Sequence, residues 1–535
     1  MSVPHKVLVA CDTFKGTCPS YKVGEAFEHG LRRYLRHRGT SPSSVQVVNA
    51  PMSDGGAGLL DSITFPTPQR ENGSLLHFER ITVPPSVPIL GPLGVPLGNP
   101  RPTFAWEPRQ HMILIEMATA SGLPLLKDPS QFNINETTSH GTGQLIEYAV
   151  QYARKQNKEK GIVLLLGIGG SATNDGGLGA LQALGLEIYV TDETNKTEVL
   201  LTTPFKGKDL SRLTRVAIGE KMKQFFFQTS PFIQRVYLIC DVDNPLVGRN
   251  GATFIFGPQK CSPSMKYKDQ KTQSDLNEKV GSIPSPQFYS FLEKTDAAMA
   301  KTATNVVKST FSFLQAHHYQ QQSEQAMTER LLHGRQGGGA GGMSGFFHYL
   351  LNSRYLPGAE AVSTLQNIQY NADFKKEMQS LASVDPHTTR QQKEEEGYLA
   401  THASLLVTGE GSYDSQTLLS RKTIGKLLVM SVMENKKQNK RAVEEVLILC
   451  GKCGFESSQA AMKETELFLE SVLLEENNNN KKENVKAFIP RISVLPLGER
   501  FTHEECMTHT FDCIVKMIHD YYEAKNKNGK QRSNV

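Results

Sequence analysis

The sequence predicts an α/β fold, on three observations. Short apolar runs stop at glycine or turn residues, amphipathic helical patterns alternate with them, and polar groups collect where the runs end. The chain has 535 residues, enough for two or three ordinary domains. The runs are Lys6 to Ala10, Val45 to Val48, Met112 to Glu116, Ile162 to Leu166, Val236 to Cys240, Leu405 to Thr408 and Val446 to Cys450. Continuous apolar runs of this kind suit strands covered on both faces, as in parallel sheets. The clearest helix is Ser20 to Arg36, where Val23, Ala26, Phe27, Leu31 and Tyr34 share one face. Ser20 stands where an N-cap is expected. Three polar stretches, Ser262 to Pro286, Asp385 to Glu396 and Glu475 to Glu483, lack apolar period and read as surface loops.

Composition excludes several functions. Hydrophobic residues make up 38% and charged residues 21%, the balance of a chain that buries a core. The net charge of +5 is small and unclustered, so nothing favours nucleic acid. No apolar run approaches the roughly 18 residues of a membrane span. Val7 to Ala10 is too short for a signal peptide and is closed by Asp12. Eight scattered cysteines suit a reducing compartment. Cys450 and Cys453 form the one close pair; with no second pair at ligand spacing, plain thiols after a strand are the simpler reading than zinc or redox chemistry. The final Ser533-Asn534-Val535 is not the usual peroxisomal tripeptide, which leaves the cytoplasm as the expected location.

The chemistry gathers at strand ends. Leu164 to Leu166 runs into Gly167-Ile168-Gly169-Gly170-Ser171-Ala172-Thr173-Asn174-Asp175-Gly176-Gly177, and a helix is expected from about Gly177 to Leu184, stopped by Gly185. Glycines admit an anion close to the backbone, and amides at a helix start favour phosphate. A tight turn with Asn174 or Asp175 as a cap is the alternative. Other runs exit into Asp12-Thr13-Phe14-Lys15-Gly16, Met52-Ser53-Asp54-Gly55-Gly56, Cys240-Asp241-Val242-Asp243-Asn244 and Thr408-Gly409-Glu410-Gly411-Ser412-Tyr413-Asp414. Ligands of open α/β sheets bind beyond the carboxyl ends of strands. Carboxylates there can hold Mg²⁺ or accept a hydroxyl proton, and a lysine with loop amides can neutralise a phosphoryl group. Gly337 to Gly342 reads either as a flexible linker or as a further close-approach loop. The P-loop, the protein-kinase motifs and the dinucleotide fingerprint are all missing.

In these motifs, and in their order, the chain resembles the two-domain glycerate kinases of bacteria. Further matching stretches are Gly91-Pro92-Leu93-Gly94, Glu116 to Leu123, Thr137 to Gly143, Asn250-Gly251-Ala252 and Phe256 to Lys260. Thr13, Ala57 and Tyr413 depart from the family's usual Ser, Glu and Leu. The resemblance implies transfer of the ATP γ-phosphoryl group to a hydroxyl of D-glycerate with Mg²⁺, the 2-hydroxyl favoured over the 3-hydroxyl. It implies a discontinuous flavodoxin-like domain, residues 1–80 and 301–535, with a second α/β domain, 81–300, inserted and the site in the cleft. Carried onto this sequence, the catalytic residues would be Lys15, Asp54, Asp175 and Asp241. Substrate and phosphate would meet Asp12, Gly169, Gly170, Ser171, Thr173, Asn174, Gly176, Gly177, Asn244, Lys260, Gly409 and Glu410. Asp243 and Asp414 would bind metal. The alternatives are a kinase for another small hydroxy acid and a silent descendant that binds nucleotide or metabolite for regulation; retention of the charged motif residues speaks against the second.

Overall fold

The computed structural model describes residues 5–66, 76–156, 160–194, 196–267, 284–317, 322–366, 404–419, 422–475 and 485–532. They form two compact units. The first takes its described residues from Met1–His77, Pro357–Ser380 and Val384–Val535. The second takes them from Phe78–Leu356. The units therefore divide at Leu356 and Pro357, and not at residues 300 and 301. The helix Pro286–His317 explains the difference. It buries Val306, Val307 and Leu314 in the same core as Phe346 and Phe347, so the chain cannot leave the second unit until that core is complete.

The first unit is built on one parallel sheet of β1 (Lys6–Cys11), β2 (Gln46–Asn49), β12 (Leu405–Tyr413), β13 (Glu445–Cys453) and β14 (Arg491–Pro496), the numbering running over the whole chain. Its order is β2-β1-β12-β13-β14. Counted within the unit this is 2-1-3-4-5, the flavodoxin order, whose ligand crevice opens where the order reverses, between β1 and β12. Val7 and Val9 pack against Val23, Ala26, Phe27 and Leu31 of the helix Ser20–His37, together with Ile514, Met517 and Ile518 of the helix Thr510–Arg532. Each such buried side chain contributes roughly 1.5–3 kcal/mol. Ser20 is not the N-cap. Pro19 holds that place, and the Ser20 hydroxyl lies buried 3.3 Å from Ser62 Oγ.

The second unit carries a mixed sheet of order β11-β10-β6-β5-β4-β3. Its strands are β3 (Glu79–Thr82), β4 (Thr103–Glu107), β5 (Met112–Glu116), β6 (Ile162–Gly167), β10 (Ile233–Ile239) and β11 (Arg354–Leu356). The strands from β5 to β11 pair in parallel, with β4 and β3 antiparallel at one edge. A small antiparallel sheet joins β7 (Leu186–Thr191), β8 (Glu198–Leu200) and β9 (Leu213–Ile218). Of the polar stretches, Ser262 to Pro286 contains the short helix Pro263–Lys266, and residues 268–283 lie outside the described residues. Glu475 ends the helix Ser458–Glu475; Asp385 to Glu396 and the rest of Glu475 to Glu483 lie outside the described residues. Among the described residues no helix is long and apolar enough to cross a membrane.

Candidate active site

In the first unit β1 and β12 end side by side at the crevice, and their polar exits form one cluster. Asp12 is buried: Oδ1 accepts from Thr13 N at 2.6 Å and Oδ2 from Thr423 Oγ1 at 2.7 Å. Asp54, from the loop after β2, accepts from Gly56 N at 3.1 Å and faces Lys15 Nζ at 3.5 Å. Glu410 ends the buried part of β12, and its Oε1 is buried without a hydrogen-bond partner. Burial pushes the Asp12 carboxyl well above its ordinary range, and the charge of Asp54 adds to it, against the bonds from Thr423 and Thr13. Burial also raises Glu410, with Asp54 acting in the same direction. Lys15 is raised by Asp54. Asp12 and Glu410, both raised and both beside the charge of Asp54, are a place where a cation relieves repulsion. Their oxygens suit a hard divalent ion. Among the described residues the one trio of His, Cys, Asp or Glu with ligand atoms within 4.8 Å of one another is His37, His519 and Glu523, elsewhere on this unit. The carboxylates thus form no closed protein cage, but they fit Mg²⁺, which is commonly held by one or two carboxylates with phosphates and water.

In the second unit the glycine loop after β6 is mostly packed and internally bonded. Gly169 and Gly170 reach solvent, whereas Thr173, Asn174 and Asp175 are 0% exposed. The expected helix runs Leu178–Ala183, six residues. The amides at its start are already used. Gly176 N donates to Gly341 O, Gly177 N to Asp175 Oδ1, Leu178 N to Asp175 O and Ala180 N to Ser139 Oγ. A Cβ on Gly176 would lie 2.7 Å from the Phe346 ring, and one on Gly177 2.7 Å from Met343. Gly176 and Gly177 are thus closely packed, whereas Thr173 Oγ1 and Asn174 Oδ1 are buried without a hydrogen-bond partner among the described residues. Lys260 braces the loop from within. It is 2% exposed, and its Nζ donates to Ser171 Oγ at 2.8 Å and Thr173 O at 2.7 Å. Burial lowers its pKa to about 8, against the pull of Asp175. The run Gly337 to Gly342 is a close-approach loop and not a linker. A Cβ on Gly338 would sit 2.3 Å from Pro245 O, and one on Gly341 2.1 Å from Thr173 O.

Asp175 belongs to this internal scaffold. Its Oδ2 accepts from Ser139 N and Ser139 Oγ, both at 2.7 Å, and its Oδ1 from Gly177 N at 3.0 Å. Burial raises its pKa while these bonds oppose the rise. The Ser139 hydroxyl passes the interaction on to Ala180 N at 2.9 Å. Asp175 thus ties the start of the helix His140–Gln156 to the start of Leu178–Ala183, and we propose that it positions the loop rather than moving a proton. Asparagine cannot replace it, because an amide NH₂ would face a donor on one side or the other. Asp175→Asn is expected to lose roughly 1–3 kcal/mol of stability, with kcat of the folded fraction within about fivefold of wild type. Denaturant unfolding and initial rates at low temperature check both; a hundredfold fall in kcat without loss of stability would restore a catalytic role.

The remaining expected residues separate clearly. Both oxygens of Asp243 accept from Arg335 Nε, at 2.8 and 3.0 Å, in an exposed ion pair. Asp414 Oδ1 accepts from Thr417 N at 3.0 Å at the start of the helix Ser415–Leu419. Asn244 Nδ2 donates to Asn250 O, stabilising its own turn. Gly409 is buried, and its carbonyl accepts from Asp12 N at 2.8 Å. Asp241 is half-buried at the exit of β10, next to the exit of β6. Cys450 and Cys453 lie on β13, outside the one metal-capable trio. Residue-by-residue reading missed Thr423 and Ser139. Ser139 stood inside a recognised motif, but Thr423 reaches Asp12 from 411 positions away and left no local signal.

Comparison with known proteins agrees with this architecture. A model described as the glycerate kinase family matches residues 7–278. A glycerate kinase of Haemophilus influenzae is 27% identical over 422 residues, covering 78% of this chain and 81% of that protein. A glycerate 2-kinase of Escherichia coli is 32% identical over 262 residues, but the match spans only 48% of this chain and 55% of that one. A crystal structure from Salmonella typhimurium LT2, assigned as a glycerate kinase 2, shares the fold with a TM-score of 0.56 at 21% identity, over 98% of this chain and 99% of that one. The chain belongs to the glycerate kinase family, enzymes that move a phosphoryl group onto an alcohol acceptor.

Proposed function

We propose that the protein transfers the γ-phosphoryl group of ATP to the 2-hydroxyl of D-glycerate, with Mg²⁺, in the cytoplasm. The observation that carries the reading is the cluster of Asp12, Asp54 and Glu410 beside Lys15 at the crevice of the flavodoxin-like sheet. Asp54 is the proton acceptor in this reading. Its side chain is 19% exposed, unlike the buried Asp12, and is steadied by Gly56 N. The acceptor hydroxyl loses its proton to Asp54, its oxygen bonds to the γ-phosphorus, and the bond from that phosphorus to the β–γ bridging oxygen breaks to release ADP. Lys15 offsets charge on the phosphoryl oxygens. Asp12 and Glu410 would hold Mg²⁺, which when bound supplies charge neutralisation for the phosphates. In the second unit Gly169 and Gly170, with Ser171 braced by Lys260, are proposed to seat an anionic group of a substrate. Asp241 keeps its proposed catalytic assignment there. Eight cysteines, none in a disulfide, support the cytoplasmic location.

The test is ADP release by the full-length protein with Mg²⁺ over a panel of hydroxy acids, followed by NMR of the product. The expected result is turnover with D-glycerate and phosphorus coupled to carbon 2. Folded protein that uses no ATP with either glycerate enantiomer overturns the reading; turnover with a different hydroxy acid alone replaces its substrate.

A further inference from the structure

We propose that a cavity of about 510 Å³ in the first unit, over the carboxyl ends of β12, β13 and β14, receives the purine nucleoside of the phosphoryl donor. This rests on the reading of the protein as an ATP-dependent kinase. Three glycines, Gly411, Gly451 and Gly498, line the cavity. The β12–β13 register pairs Glu410 with Cys450 and Ser412 with Lys452, which sets Gly411 opposite Gly451. The β13–β14 register pairs Cys450 with Pro496, which brings Gly498 alongside just past β14. A Cβ on Gly411 would meet nothing nearer than 3.6 Å, and one on Gly498 would meet only Gly451 O, at 3.2 Å. Glycine weakens a strand and often marks the close approach of a ligand. A Cβ on Gly451 would press on Gly411 O at 2.7 Å, so it is Gly411 and Gly498 that leave open backbone on which a planar ring can lie.

The walls suit the same occupant. Phe14 and Leu497 are buried beneath the cavity, and Phe455 and Phe501 line it half-buried. Aromatic and aliphatic walls around a few polar groups are the usual composition of a small-molecule site of this size. Glu499, at the edge, has both carboxylate oxygens held by Ser458 Oγ, at 2.8 and 2.9 Å. An acidic side chain near the sheet is the group that accepts ribose hydroxyl protons in related α/β folds.

Direction follows from Lys15. It lines this cavity and also faces Asp54 at 3.5 Å, while Gly411 directly follows Glu410. A nucleoside lying over Gly411 and Gly498 therefore sends its phosphates past Lys15 toward the carboxylates. The cavity meets the crevice where the strand order reverses, which is where a flavodoxin-order sheet takes its ligand.

Two measurements on the full-length protein test this. Photolabelling with 8-azido-ATP and Mg²⁺, mapped by mass spectrometry, is expected to mark peptides containing Phe455 or Phe501, and excess ATP is expected to suppress it. Gly498→Leu, which fills the cavity, is expected to raise KM for ATP at least about tenfold while KM for D-glycerate stays within about twofold. Gly498→Ala serves as the folded control. ATP-suppressible label elsewhere, or a Gly498→Leu enzyme with wild-type KM for ATP, overturns the cavity assignment and leaves the kinase reading standing. A wild-type protein that uses ATP with no hydroxy acid overturns the kinase reading, and this inference with it.

Discussion

Asp12→Asn is expected to lower kcat at least about a hundredfold, the scale seen when a group essential to charge or proton handling is lost, and to raise the melting temperature at neutral pH. The two effects share one cause. Asp12 is buried beside Asp54 and Glu410, so its charge is costly in the folded chain without a cation. Asparagine is nearly isosteric. Its oxygen can keep the bond from Thr13 N, and the Thr423 hydroxyl can turn to accept from the amide. The sign with pH follows from linkage. The folded pKa of Asp12 lies above its unfolded value of 3.8, so the folded wild type binds more protons than the unfolded chain just above that value. Wild-type stability from this group is therefore full below about pH 3.8 and falls as pH rises toward the folded pKa. Asparagine lacks that loss. The gain in melting temperature should be small near pH 4 and larger at pH 7, by at least about 2 °C for a unit of this size. Thermal unfolding in EDTA at several pH values, with ATP turnover at pH 7.5, checks both parts. An Asp12→Asn protein that is less stable at pH 7, or that keeps wild-type turnover, would remove Asp12 from the carboxylate cluster's function.

Lys260→Met is expected to destabilise the second unit by about 2–3 kcal/mol, the scale of losing hydrogen bonds from a charged donor. It should also lower activity at least about tenfold through a loosened Ser171–Thr173 turn. The ammonium satisfies Ser171 Oγ and Thr173 O inside the protein, and methionine fills the volume but donates nothing. The pH dependence identifies the cause. The folded pKa, about 8, lies below the unfolded value of 10.5. Between these values the unfolded chain binds more protons, so wild-type stability from this group grows as pH rises through the window, and is lost as pH falls through about 8. The methionine variant has no such slope. The stability gap should therefore widen from about pH 8 to pH 10.5, as read by urea unfolding across that range. Equal slopes for the two proteins would place the Lys260 charge outside the folded interior.

The α/β class and most of the seven expected strands, with the exception of β2, interrupted by Gln46, were legible as continuous apolar runs. Ile162 to Leu166, for example, is buried along its whole length in β6. Strands with half-exposed alternation, such as β14, gave a weaker local pattern and passed unnoticed. The exits holding Asp12, Asp54 and Glu410 were also legible, since carboxylates and glycines after an apolar run stand out in any reading. Their roles were harder to read. Asp54 and Asp175 both sit before paired glycines, yet one faces a lysine near solvent and the other is enclosed by Ser139 and Gly177. Nothing local to Asp243 announced Arg335, which comes from far along the chain to both its oxygens.

By itself, the sequence determined the fold class, the order of the strand exits and the family, because these depend on residue type and on spacing along the chain. The tertiary structure alone decided which polar atoms remain open for chemistry. That choice depends on partners brought together from distant positions: Thr423 on Asp12, Ser139 on Asp175, Lys260 on Ser171 and Gly341 on Gly176. A buried polar group must be satisfied by whatever the fold places beside it, and no local pattern of residues reveals what that neighbour will be.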